Sequence, residues 1–262
     1  MNLFDHDLRP GGDLSGVDLS GRDLSDLDLE RARLVEANLQ QGILRRTRLH
    51  YADFTNAKLG HAILDNAVLK SSRLDGADFT GASLIGARMD SASQFDPLGA
   101  TGDSTNFSGA NLSKSFFNYA RLSSVRFDGC DLRGATLSNG HFDGASFVDA
   151  DLRGAFLGSI FIPHADLRGA KIDTRMTWGN LDWANLSGLN LAGISLRGGI
   201  ARHAVFFRTN LESANLTKKN FSFANFAFAN LRNADFSDSI LTGANFHGAN
   251  LEGVVFPEDW ES

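Results

Sequence analysis

Large apolar residues recur at every fifth position of this chain. In residues 233 to 253, NADFSDSILTGANFHGANLEG, they fall at Phe236, Leu241, Phe246 and Leu251. An amphipathic helix repeats at about 3.6 residues and a strand at about 2, so this spacing fits neither. Taking each large apolar residue as a centre, one block runs from Leu14 to Met89, a second from Phe107 to Ile172 and a third from Leu181 to Phe256. Of these 46 positions, 45 hold Leu, Phe, Ile or Met, and Ala201 alone departs.

Two residues before the centre, Ala occupies 25 of the 46 positions, and Ser, Thr, Gly, Val or Cys fill most of the rest. The residue between is very often Asp or Asn, and the two that follow the centre are mostly polar or Gly. Residues two apart share a face of an extended segment, so the small residue and the centre point inward together while their neighbours face solvent. A turn must follow within the same five residues, and Gly, Asn and Asp supply its conformation. The expected element is a coil of short flat sides and regular corners, with successive coils paired through backbone hydrogen bonds.

This pattern resembles the pentapeptide repeat family, whose motif is written A(D/N)LXX, and the likeness covers about nine tenths of the chain. The resemblance implies an all-β fold, a right-handed quadrilateral parallel β-helix with four pentapeptides per coil and residue n stacked over residue n+20. About 12 coils at roughly 4.8 Å spacing make a rod on the order of 60 Å long. The columns this stacking creates are chemically compatible. Asp13, Arg33, Asp53 and Arg73 alternate in sign, as do Glu212, Arg232 and Glu252. Asn190, Asn210, Asn230 and Asn250 form an asparagine column, and Phe206, Phe226 and Phe246 an internal aromatic one. DLRGA at 131 to 135 and 151 to 155 sets Asp131 over Asp151 and Arg133 over Arg153, for which diagonal pairing is expected.

The whole chain reads as one solenoid, with repeat blocks at 12–90, 105–173 and 179–257. Residues 91–104, which contain Pro97, Gly99 and Gly102, form an irregular loop, and a kink as if from a one-residue deletion lies near 173–180, with Met176 a displaced centre. Phe4 is placed to cap the first coil. At the other end 257–262 form a cap in which Phe256, Pro257 and Trp260 either cover the last coil of a monomer or, as the family resemblance allows, make a homodimer contact.

Composition narrows the chemistry. Net charge is −6, from 25 basic and 31 acidic residues spread along the chain, which leaves no basic footprint for nucleic acid or for a membrane surface. The N-terminus carries Asp5 and Asp7 and no apolar run long enough to span a bilayer, so a cytoplasmic location is expected. The seven histidines are scattered without metal-ligand spacing, the Asp residues follow the repeat, and no phosphate-binding or nucleophile motif occurs. Cys130 falls at a small inward position. No enzyme activity, metal or cofactor is expected.

Function is then expected on the outside, as a rod that engages an unknown protein partner. Candidate contacts are the acidic girdle Asp13, Asp18, Asp23, Asp28 and Glu30, and the loop residues Phe95, Asp96 and Leu98. The alternative is the role of one branch of the resembled family, protection of DNA gyrase or topoisomerase IV from quinolones or peptide toxins by mimicry of DNA. Duplex DNA carries one charge per about 1.7 Å, or roughly 35 over 60 Å, far more than this chain offers. Only the short acidic girdle approaches such a density before Arg31, Arg33, Arg45, Arg46 and Arg48 reverse the sign.

Overall fold

The computed structural model describes residues 7–91, 99–173 and 178–260. Phe4, Phe95, Asp96, Leu98 and Met176 lie outside the described residues. The chain is wound as a stack of parallel coils in which each polar residue just before a centre bridges to its equivalent one coil on. Asp13, Asp18, Asp23 and Asp28 bridge in turn to Arg33, Asn38, Ile43 and Arg48, so each 20-residue coil carries four ladders. Up to three hydrogen bonds per pentapeptide tie the coils, one of them from the residue two past the centre (Gly16 N–H to the Val35 carbonyl, 2.8 Å). The centre's N–H donates to the coil below (Leu14 to the Arg33 carbonyl, 2.8 Å), and the bridging residue's N–H donates to the coil above (Arg33 to the Gly12 carbonyl, 2.9 Å). A further bond closes the corner, as where Ala37 N–H donates to the Leu34 carbonyl at 3.1 Å.

The preference for Asp or Asn before the centre has a local cause. Its side-chain oxygen accepts the N–H of the residue two ahead, as Asp13 does from Ser15 at 3.1 Å and Asn210 from Glu212 at 3.2 Å. This satisfies a turn N–H that the coil contacts do not reach. The next residue adopts a left-handed conformation, with Gly at some corners and a side-chain-bearing residue at others, such as Arg46 at φ 55° and Asn233 at φ 55°.

Inside, the centres and small residues form one continuous column, with Leu14, Phe127 and Phe236 among the many that are 1% exposed or less. Phenylalanines stack coil on coil: Phe79, Phe107, Phe127 and Phe147 have successive ring separations of 4.8, 5.4 and 5.1 Å. Hydroxyls at the small position donate either to a carbonyl of the coil above, as Thr47 does to Leu24 at 2.9 Å and Thr209 to Leu186 at 2.8 Å, or to the preceding centre, as Ser72 does to Leu69 at 2.7 Å. Cys130 reaches the coil above in the same way, toward the Phe107 carbonyl, and burial pushes its thiol up to about 12, which makes it an inert core residue.

The ladders continue across both interruptions. Arg73, Asp78, Ser83 and Arg88 bridge to Thr101, Asn106, Asn111 and Phe116, partners 28 apart instead of 20. Strand β1 (Thr101–Asp103) pairs in parallel with β2 (Arg121–Ser123), which places Gly102 beside Leu122 at a position a large centre would hold. A Cβ there would sit 2.6 Å from Thr105 Oγ1 and 3.1 Å from Leu74 Cβ, so the site admits no side chain. At the second interruption β3 (Ile160–Phe161) pairs with β4 (Trp178–Asn180) through a register shift, and Asp166 bridges Asn185 at 19.

The stacked columns, outer and inner, match most of the expected chemistry. Asn210, Asn230 and Asn250 each donate an amide hydrogen to the asparagine above, at 3.0, 3.0 and 3.3 Å, and the Phe206, Phe226 and Phe246 rings stack at 4.9 and 5.2 Å. The DLRGA pairs differ. Arg133 and Arg153 pair with Asp131 and Asp151 of their own pentapeptide, at 2.6 and 2.5 Å, and not diagonally. A residue two places along the same turn lies close enough for a two-pronged contact, which relieves the like-charge stacking without reaching to another coil.

Candidate functional site

The acidic girdle is assembled as the sequence places it, but most of it is neutralised. Arg33 sits 3.1 Å from Asp13, and Arg48 lies 3.3 Å from Asp28 and 3.7 Å from Glu30. Asp18 accepts from the Asn38 amide at 3.1 Å. Hydrogen bonds from Ser15, Ser20 and Ser25 hold the carboxyls of Asp13, Asp18 and Asp23 below the usual range. These groups are anions whose oxygens are largely committed to the next coil or to their own turn. At the far end Trp260 stacks on Phe256 at 3.8 Å and meets the Phe246 ring edge at 5.8 Å, with Pro257 buried beside them. They cover the core of the last coils.

A second surface, which the repeat pattern did not single out, lies on one side of the later coils. Its outward ladder runs Asn185, Val205, Asn225 and Asn245. One flanking corner carries a column of stacked rings: His164, Trp183, His203 and Phe223, with successive separations of 6.2, 3.9 and 5.0 Å. The opposite corner carries Phe207, Phe228 and His247 in edge-to-face contact at 5.7 and 5.4 Å, with the Arg208 guanidinium 5.1 Å from the Phe207 ring. Trp183, Phe223 and Phe228 are 53%, 56% and 50% exposed. No Asp or Glu occupies an outward position of this side between Trp183 and Gly248, in a chain that has 31 of them.

These aromatics occupy the left-handed corners, with φ of 61° at Trp183, 60° at Phe223 and 58° at Phe228. A bulky L-residue there is strained by about 1 kcal/mol relative to glycine. The rings are seated by glycines one coil on: a Cβ on Gly243 would fall 2.6 Å from the Phe223 ring, and one on Gly248 2.7 Å from Phe228. Stacking recovers part of the strain but leaves half of each side chain in water. The signal in the sequence was FSFANFAFAN, residues 221 to 230, where Phe223 and Phe228 fall two after a centre, at a position most repeats give to small or polar residues.

Among the described residues, no three His, Cys, Asp or Glu side chains converge on a point that would hold a metal ion. The carboxylates are spread at fixed intervals by the repeat.

The pentapeptide repeat family model matches residues 13–50, 52–90, 105–144, 120–159, 130–172, 180–218 and 220–256. The chain therefore belongs to the pentapeptide repeat family, and its stacked coils are a right-handed β-helix. Among solved structures it is similar to HetL of the cyanobacterium Nostoc sp. strain PCC 7120, a pentapeptide repeat protein involved in regulating heterocyst differentiation. They share 28% identity, with 94% of this chain and 93% of HetL covered and a TM-score of 0.50. Full-length QnrB1, a plasmid-mediated fluoroquinolone resistance protein, matches at 20% identity over 75% of this chain and 90% of its own, with a TM-score of 0.27. Rfr23 of the cyanobacterium Cyanothece 51142 matches at 20% over 62% and 90%, with a TM-score of 0.19. No curated protein matches the chain.

Proposed function

We propose that this chain is a non-catalytic, quadrilateral rod of about 12 coils in one solenoid that docks a protein partner on the aromatic-rimmed side between Trp183 and Gly248. The observation that carries this reading is the placing of Trp183, Phe223 and Phe228 half-exposed in left-handed corners, a conformation that glycine takes at Gly243 and Gly248 one coil below the two phenylalanines. Exposed aromatics beside hydrogen-bonding asparagines are the composition of the central part of a protein interface. A face without acids, on a chain of net charge −6, is also the one least repelled by a partner that is itself acidic. In this reading Phe256, Pro257 and Trp260 are an end cap, and the monomer is the binding unit.

Gyrase protection by DNA mimicry asks for a dense, unpaired negative surface, and the coil-to-coil pairing of Asp13, Asp28 and Glu30 with Arg33 and Arg48 works against it. The test is a variant with Trp183, Phe223 and Phe228 all changed to Ser. Partner capture from the host is expected to fall at least tenfold, with melting lowered by only a few degrees, since each ring lies outside the core. Supercoiling by purified gyrase, with or without a quinolone, is expected to be unaffected by the wild-type protein. Undiminished capture by the variant, or protection of gyrase that the variant retains, would overturn the assignment of this face.

A further inference from the structure

Lys219 stands two residues before the centre Phe221, at the inward position that most repeats give to Ala or another small residue. It is 1% exposed, and its ammonium nitrogen donates to the Gly198 carbonyl at 2.8 Å. Three neighbouring departures from the repeat make room for it. Gly199 lies directly above in the same column, where a Cβ would fall 3.5 Å from the Lys219 nitrogen. Ala201 follows as the one small centre, and Gly198 and Gly199 are both left-handed, at φ 73° and 78°, where other corners have a single such residue. Below, the Ser239 hydroxyl donates to the Leu216 carbonyl at 2.7 Å and accepts the Lys219 N–H at 3.1 Å, so the usual corner bond is opened by an inserted hydroxyl.

We propose that Lys219 is a proton-operated latch on this corner. Neutral, it stays inside the wall and holds the Gly198 carbonyl; protonated, it is drawn to water and the Gly198–Gly199 corner opens.

An ammonium with one carbonyl acceptor among the described residues is poorly compensated in a dry wall. The charged side chains in register with residues 217–222 are Arg197 and Arg202 above, Lys218 alongside and Asp238 below, with Asp182 one coil further up. Lys218 is 3.9 Å from Asp238, and Arg202 binds Asp182 through two nitrogens at 3.0 and 2.5 Å. Burial pulls the Lys219 amine down to about 8 from its ordinary 10.5, and attraction to Asp182 offsets this only in part. A folded-state value below the open-state value means that the closed corner binds protons less readily. Closure therefore strengthens as pH rises from about 8 toward 10.5 and levels off at its weakest below about 8.

Trypsin reads this opening directly, because the bond it cleaves after exposed Arg197 leads into Gly198. Rates at this bond are normalised to a peptide spanning residues 192–203 to remove the protease's own pH dependence. From pH 7 to pH 9 cleavage of the wild type is expected to fall ~10-fold, the change these two values of the amine dictate. In Lys219→Met, which keeps the stem and lacks the proton, the normalised rate should not change with pH. A flat wild-type profile would overturn the latch, whether or not the variant folds. So would a parallel fall in both proteins, or wild-type cleavage elsewhere with none at Arg197.

Discussion

Replacing Leu231 by Asp is expected to unravel the C-terminal coils, lowering stability by ~4 kcal/mol or more. Leu231 is fully buried, its N–H donates to the Asn250 carbonyl at 3.0 Å, and its carbonyl accepts from Ala234 at 2.9 Å. The substitution removes a packed Leu, worth about 2–5 kcal/mol, and leaves a carboxylate facing a dry column with nothing to pair with it. In a solenoid each coil is held by its neighbours, so the loss propagates to the coils stacked on it. Asn230→Asp, one residue away on the outside, is the control; it disturbs an exposed amide ladder and is expected to cost about 1 kcal/mol or less. Urea unfolding followed by circular dichroism measures both. Equal midpoints for Leu231→Asp and wild type would mean that the inward and outward positions are interchanged.

The second large effect is expected for Phe226→Ala, at ~3–5 kcal/mol. The Phe226 ring lies between Phe206 and Phe246 in face contact, at 4.9 and 5.2 Å, and meets the edges of Phe221 and Phe236, both at 5.4 Å. Backbone ladders fix the coil spacing, so the neighbours cannot slide together to fill the space and the cavity persists. Phe223→Ala is the informative partner, since that ring is 56% exposed and sits on a corner. It gives up stacking on His203 but also relieves a left-handed strain, and the net change should be under ~1 kcal/mol. Comparable losses at 223 and 226 in thermal or urea unfolding would show that the outer stack holds the fold, which is incompatible with its being free for a partner.

Much of this architecture is legible in the sequence because a solenoid repeats one local problem. The alternation of Ala, Asn and Phe at 244 to 246 settles which side chains face inward, and the +20 columns at Asn190, Asn210, Asn230 and Asn250 settle what stacks on what. What could not be read was how residues outside the alternation are used. Gly102 occupies a centre position because Leu74 and Thr105 fill the space, a three-dimensional fact that a search for large apolar residues passes over. Arg133 chooses Asp131 over a diagonal partner because of turn geometry. Trp183, His203 and Phe223 fall in one +20 column that a search for inward centres passes over, and His164 joins them only through the coil that lacks one residue. Acidic residues drew notice as a girdle, yet the stacking that the sequence implied also supplies the arginines that neutralise them.

The most direct test of the docking side is to place a photo-crosslinking phenylalanine analogue at position 228 and, in a separate protein, at position 18, then irradiate each in host extract and map the adducts by mass spectrometry. Both positions are outside the core, so neither replacement should disturb folding. A defined protein adduct formed from position 228 and not from position 18 is the predicted result. Adducts from position 18 with none from position 228 would contradict it and return the interaction to the acidic first coils.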